Sequence, residues 1–136
     1  MKFFIGGLLL MAATLSLVSC KKEENPVCEA GSGGNVQIVT FAIHNGDTLI
    51  NTAQHPDTAF IHYGGKLSPG TDPASYDGYF VSEAGEDHIH MTHLKCGSYY
   101  IYRTGFDSVS QTRYTGGIGI EVTQTSGEVD LGIAVN

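Results

Sequence analysis

His88-Ile89-His90 sets two imidazoles two residues apart, a spacing that in an extended strand puts both on one face and lets them share a divalent ion. Imidazole nitrogen suits zinc, copper, nickel and iron better than calcium or magnesium. A third ligand has to come from elsewhere in the fold, and His93, His62 and His44 are the candidates. The competing reading is plain cross-strand pairing on a sheet face. In Ser98-Tyr99-Tyr100-Ile101-Tyr102 the alternation sends Tyr99 and Ile101 to one side and Tyr100 and Tyr102 to the other. With Ile89, Met91 and Leu94 turned inward, His88, His90, Tyr100 and Tyr102 are expected to form one exposed face. Such rings suit a protein or glycan partner, because they offer contact area at little conformational cost.

Other chemistry has less support. Asp72 and Asp77 in one loop, and Glu83, Glu86 and Asp87 in the next, invite a calcium reading. Neither loop has the Asp-x-Asp-x-Asp-Gly spacing of a dedicated site, and Asp, Pro, Ser and Gly are good turn formers in any case. Catalysis lacks a nucleophile on a strained turn: there is no Gly-x-Ser-x-Gly, no phosphate-binding loop and no His-Glu-x-x-His. A non-enzymatic protein without a cofactor is expected, and a small enzyme with an unrecognised site is the rival.

The elements that must position these side chains read as β throughout. Short segments rich in β-branched and aromatic residues alternate with Gly-Gly, Pro-Gly, Asn-Gly and Asp-Gly pairs, and no stretch keeps a helical period for three turns. Strands are expected at 36–43, 47–51, 58–63, 79–82, 88–93, 98–106, 117–125 and 128–135, with Asn45-Gly46 turning the first into the second. In the last strand Val129, Leu131, Ile133 and Val135 share the face to be buried, while Asp130 faces solvent. Ile118, Ile120 and Val122 match that face across Ser126-Gly127, which predicts a C-terminal hairpin. A single antiparallel β-sandwich of seven to eight strands follows, occupying 35–136. That region holds four Lys or Arg against eleven Asp or Glu, which argues against nucleic acid as a partner.

The run His88-Ile89-His90-Met91-Thr92-His93-Leu94-Lys95-Cys96-Gly97-Ser98-Tyr99 resembles the apolar-x-apolar-x-x-Leu-x-x-Gly-x-Tyr signature of transthyretin-like and Cna-B-like sandwiches, including the carboxypeptidase regulatory-like domain. With Gly105-Phe106-Asp107 and Gly116-Gly117-Ile118, it also resembles small Bacteroidetes lipoproteins without an assigned activity. The likeness spans Thr58 to Val135, and Cys96 stands where those families often have Pro. Transthyretin-like hydrolases end in Tyr-Arg-Gly-Ser, which Ile133-Ala134-Val135-Asn136 does not match, so the resemblance implies a fold and no reaction.

The N-terminal segment bears on location. Lys2, the apolar run Phe3 to Val18 and Leu17-Val18-Ser19-Cys20 have the order of a bacterial lipoprotein signal at 1–19, with lipid to be attached at Cys20. The apolar run is too short for a spanning helix with interfacial anchors. Residues 20–34, rich in charge and glycine, are expected to form a flexible tether. Lys21-Lys22-Glu23-Glu24 resembles the Lys-and-acidic run that sends Bacteroidetes-type lipoproteins to the outer face of the outer membrane. The expected place is therefore the cell envelope, on an outer membrane that the lipid engages. Cys28 and Cys96 remain as two thiols able to form a disulfide in an oxidising compartment, and two free thiols are the open alternative. Cys20→Ala is expected to abolish palmitate labelling and to move the protein to the soluble fraction; persistent labelling would sink the anchor.

Overall fold

The computed structural model describes residues 27–136. The signal at 1–19, Cys20 and the tether up to residue 26 lie outside the described residues. Among the described residues eight strands run as β1 (Ser32–His44), β2 (Asp47–Thr48), β3 (Thr58–Tyr63), β4 (Gly78–Val81), β5 (His88–Leu94), β6 (Gly97–Asp107), β7 (Thr112–Val122) and β8 (Ser126–Ala134). Pro73–Ser75 form one 3-10 turn, capped by the Asp72 carboxylate, which accepts from the Ala74 N–H. The strands make a β-sandwich of two sheets. Sheet A has β1 between β5 and β8, with β2 paired to the end of β1, and sheet B has the order β4-β3-β6-β7.

Alternating side chains explain the stacking. Val36 and Ile38 of β1, Ile89 and Met91 of β5, Ala59 and Ile61 of β3, and Tyr99 and Ile101 of β6 all point between the sheets and are buried. Leu94 joins them although it lies three residues beyond Met91. Val36 pairs with Leu94 and Ile38 with Met91, so three steps on β5 oppose two on β1. His93 takes up the extra residue in the left-handed region, at φ 58°. This bulge is the physical content of the apolar-x-apolar-x-x-Leu spacing.

Two expectations about the C-terminus are corrected. β7 and β8 do not form a hairpin: β7 pairs with β6 in sheet B, while β8 crosses to sheet A and runs parallel to β1 from Asn35↔Ser126 to Ile43↔Ala134. The sandwich is therefore mixed in sheet A rather than wholly antiparallel. The two strands meet again at their far ends, where Thr115 and Asn136 exchange backbone hydrogen bonds and a Cβ at Gly116 would run into the Ala134 carbonyl. The face of β8 is as expected, but burial rises along it. Ile133 and Val135 are buried, whereas Leu131 is only partly covered near the sheet edge.

The chain also joins the domain earlier than residue 35. Cys28 and Cys96 are disulfide-bonded, and Lys95 N–H donates to the Gly31 carbonyl at 2.9 Å. The buried Tyr99 hydroxyl accepts from Gly31 N–H and donates to the Lys95 carbonyl at 2.6 Å. Residues 28–31 are thus strapped across the turn between β5 and β6. At the other end the interior is polar. Asp57 accepts from Phe106 N–H, the Thr104 hydroxyl and Arg113 Nη1, and burial holds its carboxyl above the usual range. Arg103, fully buried and donating to the Thr40 carbonyl and hydroxyl, is pushed down to about 10 by desolvation.

Urea unfolding of the full chain should separate the β8 positions. Ile133→Ala is expected to lose about 2–5 kcal/mol, Leu131→Ala distinctly less, and Asp130→Ala under about 0.5 kcal/mol. The Cys28→Ser/Cys96→Ser variant should lose about 4 kcal/mol, as closing a loop of this length implies.

Candidate metal centre

His88 and His90 lie on the outer face of β5, and Glu86 joins them from the loop that leads into the strand. Glu86, His88 and His90 each offer one donor atom, and these atoms lie within 4.8 Å of one another on the outer side of sheet A. His88 Nε2 is 2.9 Å from His90 Nε2 and 3.6 Å from Glu86 Oε2. None of the third ligands proposed from sequence belongs to this group. His44 stacks on Tyr114 with its Nδ1 2.9 Å from the Val135 carbonyl. His62 sits in sheet B with its Nδ1 3.0 Å from Asp77, and His93 occupies the bulge.

The backbone at the entry to β5 is fixed from inside. Asn51, buried between the sheets, donates its side-chain amide to the carbonyls of Glu86 at 2.6 Å and His88 at 3.2 Å. Its own N–H donates to the Glu86 carbonyl, and Gly85 N–H donates to the Asn51 carbonyl. The carbonyls of Glu86 and His88 are thereby held by one side chain, which fixes the backbone on either side of Asp87. Asn51 is the positioning residue that sequence reasoning missed, and nothing local in Ile50-Asn51-Thr52 marks it. Glu86 had a readable signal, the spacing Glu-x-His-x-His.

Second contacts hold both rings. His88 Nδ1 donates to Asp87 Oδ1 at 2.7 Å, a bond that holds the Asp87 carboxyl below the usual range and leaves a lone pair on Nε2. Phe41 lies tilted against the His88 ring, with centroids 5.7 Å apart. Gln37 Nε2 donates both to His90 Nδ1 at 2.8 Å and to Glu128 Oε2 at 2.9 Å. Two imidazoles and one carboxylate facing solvent form an N2O set with open positions, suited to a late first-row divalent ion. The acidic loop of Asp72 and Asp77 serves structure. Asp72 caps the 3-10 turn, and Asp77 accepts from Tyr63 N–H at 2.7 Å.

The predicted His and Tyr face does not exist as one surface. His88 and His90 lie on sheet A, while Tyr100 and Tyr102 lie on the outer side of sheet B, across the sandwich. β5 and β6 are consecutive in sequence, but the turn at Lys95-Cys96 carries the chain from one sheet to the other. Tyr102 belongs instead to an aromatic group with Phe60 and Tyr76, and Phe60 in turn touches Tyr79. Phe60, Tyr76 and Tyr79 line a cleft of about 560 Å³ beside Pro73 and Ala74.

Comparison with models of known families, with curated proteins and with solved structures finds no match for this chain.

Proposed function

We propose that this protein is a non-enzymatic, lipid-anchored module of the bacterial cell envelope that binds a divalent transition metal through Glu86, His88 and His90. The observation that carries the metal reading is the convergence of three donor atoms, two from alternate residues of β5 and one from the loop before it, with the His88 ring already oriented by Asp87. The anchor rests on Leu17-Val18-Ser19-Cys20. The ligand set is open to solvent on a sheet face, a place that suits capture or display of an ion more than enclosure of a substrate.

A second reading, recognition of a protein or glycan partner, is favoured by the cleft of sheet B. Tyr79 is 68% exposed there, and Phe60, Tyr76 and Tyr79 present ring surface beside it.

Calorimetric titration of the full chain in detergent with zinc and with copper tests the metal reading. The wild type should bind one ion with a Kd of about micromolar or tighter. His88→Ala and His90→Ala should each weaken binding at least about tenfold, and Glu86→Gln should weaken it less, while His62→Ala leaves it unchanged. Equal affinity in all four variants would remove Glu86, His88 and His90 from the site.

A further inference from the structure

The hydrogen bonds around His90 form a chain whose proton positions can be assigned, and the assignment opposes metal binding. Gln37 Nε2 stands 2.9 Å from Glu128 Oε2, and a carboxylate can only accept, so the amide nitrogen is the atom facing this side. The same nitrogen lies 2.8 Å from His90 Nδ1, which must then accept. His90 therefore carries its proton on Nε2. That proton points at His88 Nε2, 2.9 Å away, whose lone pair is free because Asp87 takes the Nδ1 proton. Every donor from Gln37 to Asp87 finds an acceptor, and the two imidazole nitrogens that a shared ion needs are tied to each other.

Resting on the metal reading above, we propose that Glu128 and Gln37 act as a tautomer lock that lowers the metal affinity of the Glu86-His88-His90 site. To ligate through Nε2, neutral His90 must shift its proton to Nδ1. The Gln37 amide must then turn its oxygen to accept that proton, which breaks its bond to Glu128. The cross-strand pairs Gln37↔Glu128 and Val39↔His90 place all three residues on the outer face of sheet A, so the lock is built into the register of β8, β1 and β5. Gln37 and Glu128 are positioning residues, since neither contributes a ligand.

The lock makes a prediction opposite in sign to simple electrostatics. Removing a negative charge near a cation site should weaken binding, yet Glu128→Gln frees the Gln37 amide and should tighten zinc binding by roughly three- to tenfold. Gln37→Glu/Glu128→Gln, which gives His90 Nδ1–H a carboxylate acceptor and keeps the formal charge, should tighten it by about tenfold or more. Nitrogen-15 NMR of the metal-free full chain in detergent reads the same lock without an ion. The wild type should show His90 protonated at Nε2, and the double variant should show the proton at Nδ1. Zinc binding in the wild type with no gain in either variant overturns the lock and leaves the metal site standing, as does an Nδ1–H tautomer in the metal-free wild type. No zinc binding in any of the three proteins overturns both.

Discussion

The two-sided pairing of β1 is the constraint on which the rest of the molecule depends. One edge carries β5 antiparallel and the other carries β8 parallel, so a single alternation of side chains is imposed on three strands at once. Inward, it stacks Val36, Ile38, Thr40 and Ala42 against sheet B. Outward, it aligns Glu128 with Gln37 and Val39 with His90. A slip of one residue in either pairing would exchange the two faces, burying imidazole and exposing the apolar core. The functional face and the core are therefore fixed by the same register.

Much of this was readable in the chain because alternation is a local property. The strand positions, the inward set of Ile89, Met91 and Leu94, and the buried run ending at Val135 each follow from residue types a few positions apart. What the sequence withheld was which strands are neighbours. Ile118 to Val122 and Val129 to Val135 carry the same pattern whether they pair with each other or lie in opposite sheets, and the structure separates them. The same gap dissolved the joint face of His88, His90, Tyr100 and Tyr102, since β5 and β6 are consecutive in sequence yet belong to different layers. Asn51 illustrates a further limit. Its amide reaches carbonyls 35 and 37 residues away, a contact that no periodicity encodes.

The interior divides its labour along its length. Near the disulfide it is apolar, with Val36, Leu94, Tyr99 and Val122 in one cluster that supplies burial free energy. Toward the loops at the other end it admits Asn51, Asp57 and Arg103, side chains that contribute little net stability and instead hold backbone in place. Asp57 ties β6 to the segment before β3 through Phe106 and Thr104, and Asn51 ties the approach to β5. Specific geometry is maintained where the ligand residues enter the sheet.

The staple at Cys28 gives the molecule a direction. Cys28 is fixed to Cys96, just past the end of β5, whereas Glu86 stands just before its beginning. The seven residues of β5 separate them, about 23 Å at the usual rise of a strand. Whatever chain precedes Cys28 departs from the Cys96 pole, so pulling on it loads the strap and the turn first, while the donor atoms ride at the unloaded end. The point where the chain enters the domain and the three donor atoms thus lie at opposite poles of the sandwich.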